Sequence, residues 1–225
     1  MIAKCWVGGR NLSNQNMDLR VIRTKESIRE ALIELMEDKG FESITVKDIT
    51  TKARINRGTF YAHYQDKFDL MRKCQEELMH ELGHLAEEKF PDIVTEMKTT
   101  PQLPLTIAVS IFKCLHRNKR FMRAVLSPKG DLTFQTTLKQ FMWNKIFGNR
   151  SHPLIKEENL LVPAPYLASY IASAHIGVIQ QWLNSEGEET PEQMAQIIST
   201  ITINGPFYAA GLKNNGVDST SAHKY

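Results

Sequence analysis

The sequence predicts an all-α protein of about nine helices, arranged as an N-terminal three-helix domain followed by a C-terminal helical bundle. Three observations predict this class. Apolar residues recur at helical spacing through most of the chain. No stretch alternates apolar and polar residues as a half-buried strand does. Capping residues such as Ser, Thr, Asp and Asn stand at the start of successive apolar segments.

Composition is that of an ordinary globular protein outside the membrane. The chain has 225 residues, of which 42% are hydrophobic and 24% charged, and this length accommodates two packed units. No apolar run approaches the ~20 residues that span a bilayer. The three scattered cysteines form no CxxC pair, which suits a reducing compartment. We therefore predict a cytoplasmic protein with no membrane partner.

Four segments are predicted along the chain. Residues 1–20 are rich in Gly, Asn and Gln without periodicity, so we expect a disordered arm. A helix-turn-helix domain is expected at residues 21–66, a helical domain at residues 67–212, and a tail at residues 213–225.

The first predicted helix extends from Arg23 to Lys39. Gly40 follows it at the position where a left-handed residue ends many helices. Its apolar face consists of Ile28, Ala31, Leu32, Leu35 and Met36.

Two short helices are expected next, at about residues 45–64. Thr45 can cap the first, of about two turns, with a carboxylate three residues later. Asn56 can cap the second, from Arg57 to about Tyr64. Two short helices joined by such a turn define a helix-turn-helix motif.

The second short helix has a distinct outward face. Ile55, Phe60 and Tyr64 fall on one side, and Arg57, Gly58, Tyr61 and Ala62 fall on the other. Residues 47–67 carry five Lys or Arg against two Asp, a net charge of +3. This sign favours contact with phosphates.

The segment Arg23–Met71 resembles the DNA-binding domain of the TetR-type one-component transcriptional regulators. The residues that carry the resemblance are a Gly40-Phe41 corner, a T-[VI]-x-x-I-[AT] helix at Thr45–Thr50, and a G-T-[FL]-Y-x-[HY]-[FY]-x-x-K segment at Gly58–Lys67. Two positions depart from the family pattern. Arg54 stands where glycine is usual, and a left-handed Arg would be strained; Asn56 stands where Ser or Thr is common.

The resemblance implies a bacterial, non-enzymatic regulator that binds double-stranded DNA and associates with the nucleoid when bound. Repression is the first expectation, and activation stays open. No cofactor is implied. The residues expected to contact DNA are Thr45, Lys47, Asn56, Arg57, Gly58, Thr59, Tyr61, His63 and Lys67.

A long helix is predicted from Lys67 to about Lys89, with Asp66 as its cap. It contains His80-Glu81-Leu82-Gly83-His84, an HExxH pattern. Histidines four residues apart on a helix can bind zinc, with the glutamate as general base. No convincing third ligand follows, so we predict no metal site and no enzymatic activity. A zinc-dependent hydrolase is the alternative.

The remaining sequence predicts further helices with short connections. These are a helix from Pro104 through Leu115, one at Lys119–Leu126 capped by Asn118, one from Asp131 to Gly148, a polar connector at Asn149–Pro163, a helix at Pro165–Asn184, and a last one from Thr190-Pro191 to Ile203.

A homodimer is expected because helix-turn-helix proteins bind pseudo-palindromic operators as dimers. The last two helices resemble the dimer-forming pair of the family, and an intramolecular core is the alternative. The expected interface residues are Tyr170, Ile171, Ala174, Val178, Trp182, Met194, Ile198 and Ile201.

An effector, either a small molecule or a partner protein, is expected to act on the C-terminal helices and so change the affinity for DNA. Aromatic residues at helical spacing also form ordinary cores, which is the alternative reading of the same positions. The candidate lining residues are Phe112, His116, Phe121, Phe141, Trp143 and His175.

Overall fold

The computed structural model describes residues 15–89, 92–99, 105–146, 160–185 and 189–211, and all regular structure in these segments is helical. The predicted all-α class is therefore confirmed. Within these segments nine α-helices have seven residues or more, and two are shorter. The helices are α1 Gln15–Lys39, a 3-10 helix Phe41–Ser43, α2 Val46–Lys52, α3 Arg57–Tyr61, α4 Lys67–Lys89, α5 Ile93–Thr99, α6 Thr106–Arg117, α7 Lys119–Leu126, α8 Leu132–Ile146, α9 Ala164–Asn184, α10 Pro191–Asn204 and α11 Pro206–Ala209.

Two compact units divide the chain between Cys74 and Gln75. The first unit therefore includes the start of α4, beyond the boundary expected at residue 66. Leu70 and Met71 are buried there, which explains why the beginning of α4 belongs with the helix-turn-helix. No helix in the described segments is long and apolar enough to cross a membrane.

The helix α1 begins at Gln15, so the expectation of a disordered arm is wrong for residues 15–20. Residues 1–14 lie outside the described segments, as do the predicted tail at 213–225 and most of the polar connector. Polar residues at positions 15, 16 and 18 interrupt the apolar periodicity, so the sequence did not predict this part of the helix. Thr24 lies inside this helix, and its hydroxyl donates to the carbonyl oxygen of Arg20 at 2.8 Å.

The predicted core face of α1 is confirmed for four of its five residues. Ile28, Ala31, Leu32 and Met36 are buried, whereas Leu35 is half-buried. Gly40 has a φ of 77°, and its N–H donates to the Met36 carbonyl oxygen at 3.1 Å. It thus ends α1 in the backbone region that favours glycine.

The core of the second unit forms where α10 packs on α6 and α8 packs on α9. The Trp182 ring lies edge-on to Phe112 with centroids 5.3 Å apart. Its indole N–H donates to the Glu189 carbonyl oxygen at 3.1 Å. Beside it, Thr190 and Gln193 form a reciprocal capping box at the start of α10.

Two local expectations for the second unit require correction. Asn118 does not cap α7 through its side chain; its amide instead donates to the Cys114 carbonyl oxygen at 3.0 Å, so it closes α6. The helix α5 was not predicted because its seven residues are too few for a clear period. Ile93 of α5 forms a small apolar cluster with Ala86 and Ile107.

Gly130 in the turn after α7 should tolerate no side chain. A Cβ there would lie 2.3 Å from the Val125 carbonyl oxygen and 2.5 Å from that of Ala124. We expect Gly130→Ala to reduce the free energy of unfolding by about 1–3 kcal/mol through overpacking, measured by chemical denaturation. Gly83→Ala is the matched control, since its Cβ would meet Phe141 at 3.7 Å. Equal stability of both variants would contradict this account.

Candidate nucleic-acid interface

The helix α2 starts at the predicted cap, Thr45, which forms a reciprocal capping box with Asp48. The Asp48 N–H donates to the Thr45 hydroxyl oxygen at 3.2 Å, and the Thr45 N–H donates to Asp48 Oδ2 at 2.9 Å. The Lys39 ammonium lies 2.8 Å from the same carboxylate. Hydrogen bonds from Lys39 and then Thr45 hold the pKa of Asp48 well below its usual range. Thr45 and Asp48 thereby tie α2 to the end of α1.

The turn between α2 and α3 contains a left-handed residue. Arg54 has a φ of 55° and is the only described residue other than glycine with positive φ. The turn is fixed on both sides, because the Ile55 N–H donates to the Thr50 carbonyl oxygen at 3.0 Å. On the α1 side, the Ser27 hydroxyl donates to the Ala53 carbonyl oxygen at 3.0 Å.

The helix α3 begins as predicted but ends early, at Tyr61 rather than Tyr64. Asn56 Oδ1 accepts the Thr59 N–H at 2.7 Å and the Thr59 hydroxyl at 3.0 Å. The chain then turns, and the Tyr64 ring packs against Phe60 with centroids 5.6 Å apart. Tyr64 is thus buried beside Phe60, on the side that the helical spacing predicted, although it lies beyond the end of α3.

The outward face of α3 is the predicted one. Arg57, Gly58, Tyr61 and Ala62 are exposed, while Phe60 is 0% exposed. Tyr61 is 54% exposed although it is large and aromatic, and its ring stands edge-on to Phe60. Tyr61 therefore exposes about half of its surface to solvent while its ring packs on the buried Phe60.

Lys67 has a structural role that the sequence did not reveal. Its ammonium donates to the carbonyl oxygens of Phe41 at 3.1 Å and Glu42 at 2.8 Å. These bonds occupy two of its three donors and tie the start of α4 to the corner after α1. The partners lie 25 and 26 residues away in the chain, so no local pattern signals them. A phosphate contact by Lys67 stays a prediction.

His63 is half-buried beside two lysines. Burial first, and then the charges of Lys25 and Lys73, lower the pKa of His63. The Lys73 ammonium also donates to the His63 carbonyl oxygen at 3.0 Å. A neutral imidazole attracts phosphate weakly, so any DNA contact by His63 is expected to be a hydrogen bond.

The five cations counted between residues 47 and 67 are not equivalent. Lys52 lies 2.5 Å from the Glu34 carboxylate, and Lys67 donates to two carbonyls. Lys47, Arg54 and Arg57 are exposed, and their side chains form no bond with any other residue that the structure describes. These three cations carry the charge that the surface offers to an anion.

Asp69 connects the turn after α3 to α4. This buried carboxylate accepts the Gln65 N–H at 3.0 Å and lies 3.0 Å from the Lys73 ammonium. It also pairs with the Arg72 guanidinium. The Gln65 N–H, then Lys73 and Arg72, lower the pKa of Asp69 to about 2.

The candidate ligand residues of the second unit differ in burial. Phe112 and Phe121 are buried in the core, as expected if these aromatic residues form an ordinary core. His116 is exposed. His175 Nδ1 lies 2.7 Å from the Ile171 carbonyl oxygen and Nε2 lies 3.3 Å from Thr202 Oγ1. Phe141 and Trp143 are half-buried on α8.

Three of the expected dimer residues offer almost no surface to a partner chain. Trp182, Met194 and Ile198 are buried within the single chain. Trp182 of α9 packs on Phe112 of α6, and the other two lie on α10, which packs on α6. Tyr170 is exposed, and four other residues are half-buried: Ile171, Ala174, Val178 and Ile201. Tyr166 and Ile197 are exposed as well, although they were not among the interface residues expected from the sequence.

The HExxH pattern lies on α4 without a metal-binding group around it. His80 and His84 are exposed, and the Glu81 carboxylate pairs with the Arg117 guanidinium. The described segments contain no group of three His, Cys, Asp or Glu that could hold a metal. The zinc alternative therefore gains no support from the geometry.

Both units of this chain match models of known protein families. Residues 28–74 match the model of the bacterial regulatory proteins of the tetR family. Residues 102–204 match a model described as the transcriptional regulator C-terminal region, which also belongs to the TetR group. The two matches fall on either side of the division between the units.

One relative is the uncharacterized HTH-type transcriptional regulator YxbF of Bacillus subtilis strain 168. It is 26% identical over 196 residues, which cover 80% of this chain and 45% of the relative. The chain thus spans about half the length of this relative.

Solved structures show the same fold. A TetR transcriptional regulator from Streptococcus agalactiae is 24% identical with a TM-score of 0.54, over 82% of this chain and 96% of that one. NalD of Pseudomonas aeruginosa, described as the secondary repressor of a multidrug efflux pump, is 16% identical with a TM-score of 0.55, over 82% and 97%.

The Asp69 contacts should make the first unit sensitive to acid. The pKa of Asp69 is lower in the folded state than its ordinary value of 3.8. The contribution of the ionised carboxylate to the free energy of unfolding is therefore complete above about pH 4 and is lost as pH falls toward 2. We expect Asp69→Asn to lower stability at pH 6 and to flatten this dependence, measured by denaturation at several pH values. Asn at the exposed Asp38 serves as control. An unchanged acid transition in Asp69→Asn would contradict the assignment.

Proposed function

Because the chain belongs to the tetR family of bacterial regulatory proteins, we propose that it binds a pseudo-palindromic operator as a homodimer and represses transcription. Family membership carries the assignment as a DNA-binding transcriptional regulator. Repression is the simplest consequence, since a protein that occupies an operator excludes other proteins from it. The regulator acts in the bacterial cytoplasm, on the nucleoid.

The exposed face of α3 is the observation that supports DNA binding most directly. The side chain of Arg57 is free of partners in the described segments, and a guanidinium matches the O6 and N7 acceptors of guanine. Gly58 beside it leaves room for a base edge to approach the backbone. Arg57 and Gly58, with the Asn56 amide, are therefore the proposed base-reading residues.

The phosphate contacts are proposed for residues around that face. The Tyr61 hydroxyl and the Lys47 ammonium are exposed and suit phosphate oxygens. Thr45 and Thr59 also take part in caps, since Thr45 accepts the Asp48 N–H and Thr59 donates to Asn56. Each hydroxyl donates its only proton inside the unit, Thr45 to Asp48 and Thr59 to Asn56, so a phosphate contact requires that proton to turn toward the DNA. The proposed contacts of His63 and Lys67 are secondary.

The dimer interface is proposed on the exposed side of α9. Tyr166 is 75% exposed and Tyr170 is 57% exposed, which is unusual for such large side chains. Ser173 and Gly177 continue the same exposed side at intervals of three and four residues. Nothing lies within 4 Å of a Cβ at Gly177, so a partner helix can approach closely there.

The effector is proposed to act through the second unit. Any ligand or partner protein that binds one arrangement of the dimer better than another shifts the DNA affinity by that difference. The half-buried residues on α8 and α9, Phe141, Trp143 and His175, are the proposed places for such a contact. Phe112 and Phe121 support the core instead.

Loss of the α3 side chains should weaken operator binding without unfolding the protein. We expect Arg57→Ala to weaken binding about 100-fold, because a dimer loses two base contacts worth roughly 1–3 kcal/mol each. Tyr61→Ala should weaken binding too, through lost phosphate contacts. Lys52→Gln is the control, since Lys52 pairs with Glu34. Mobility-shift titration on a selected operator measures the effect. Undiminished binding by both alanine variants, with helical content intact, would contradict the proposal.

A charged side chain at Gly177 should separate the dimer. The single chain has open space at this position, so Gly177→Arg is expected to fold as a monomer while the wild type sediments at twice the chain mass. Thr136→Arg, at an exposed position on α8, should stay dimeric. A dimer of unchanged stability in Gly177→Arg would move the interface elsewhere.

A further inference from the structure

Arg54 occupies a backbone conformation that a glycine would adopt without strain. Its φ of 55° lies in the left-handed region, where the Cβ of an L-residue is crowded. The turn does not relax, because bonds from Ser27 to Ala53 and from Ile55 to Thr50 hold the residues on both sides. A strained, exposed arginine in a fixed turn requires an explanation beyond folding.

An open groove lies beside this turn. Its walls come from the N-terminal half of α1 and from Ile55, the residue that follows Arg54. The Ser27 bond to Ala53 fixes the residue before Arg54 to the same part of α1, so the residues on both sides of Arg54 are held next to the groove. The lining residues are Leu19, Arg20, Arg23, Thr24, Ser27 and Ile55.

The charge of this groove is positive and uncompensated. Two of its lining residues are arginines, two carry hydroxyls, and none carries a carboxylate. Arg20 and Arg23 are exposed like Arg54, and all three side chains have no bonding partner among the described residues.

Other cations of the same unit behave differently. Lys39 and Lys52 pair with the carboxylates of Asp48 and Glu34, and Lys73 pairs with Asp69. These three carboxylates thus neutralise cations away from the groove. Guanidinium groups with nearby hydroxyls are typical of sites that bind phosphate.

We propose that Arg54, together with Arg20 and Arg23, binds backbone phosphates of DNA next to the bases that α3 reads. The inference rests on the proposed DNA binding and extends it to residues outside α2 and α3. Glycine at position 54 would relieve the backbone strain but would remove the cation, so the arginine exchanges some folding stability for DNA affinity. The contact is with the backbone and adds affinity without sequence preference.

The salt dependence of DNA binding tests this proposal, because each phosphate contact adds about 0.9 to the slope of log K against log salt. We expect Arg54→Gly to reduce the slope by about 1.8 for a dimer and to weaken specific and random duplexes alike. Arg54→Lys should retain the wild-type slope. Lys52→Gln, which removes a cation already paired with Glu34, should retain it as well. The double variant Arg20→Gln, Arg23→Gln should lower the slope.

Thermal unfolding of the same variants separates the contact from a folding effect. Arg54→Gly is expected to melt no lower than the wild type, and about 2–4 °C higher if the full strain is released. Arg54→Asn, which tolerates the left-handed region without a charge, should show the same lowered slope. A wild-type slope in both uncharged variants would overturn the proposal. A wild type that binds no duplex at all would instead overturn the proposed function on which it rests.

Discussion

Helices of seven and five residues do not persist in water by themselves, so the surface that would read DNA depends on the burial of a few apolar side chains beneath it. Ile49 of α2 and Phe60 of α3 are both 0% exposed, and each anchors one short helix in the core of the first unit. The caps at Thr45 and Asn56 satisfy the free N–H groups at the helix starts. The position of every outward side chain on α3 follows from these anchors.

The same constraint divides the polar residues of the first unit into two groups. Asp48, Asp69 and Lys67 use their charges to fasten one helix to the next, with partners that lie within the unit. Arg57 and Arg54 have no such partner in the described segments and are exposed. Net charge over residues 47–67 therefore overstates what is available to DNA, whereas the unpaired cations indicate where phosphate is expected to bind.

The features that the sequence predicted correctly depend on residues that are close together in the chain. Both caps of the helix-turn-helix and the inward Phe60 depend on residues three or four positions apart, and the structure confirms each of them. The sequence was less informative where packing partners are distant. Trp182, Met194 and Ile198 have the apolar spacing of an interface, yet they are buried within the single chain. Trp182 packs on Phe112, and contact between α10 and α6 covers the other two. The bonds of Lys67 to residues of the preceding corner leave no signature in the sequence either.

Selection of bound sequences from randomised double-stranded DNA tests the central claim, that the outward face of α3 reads an operator as part of a dimer. We expect enrichment of a pseudo-palindrome whose half-sites lie about one helical turn apart, or a multiple of it. The Arg57→Ala protein should lose the preference for particular bases within each half-site while it still binds DNA weakly. Failure of the wild-type protein to enrich any sequence, or enrichment that is identical in Arg57→Ala, would contradict the account.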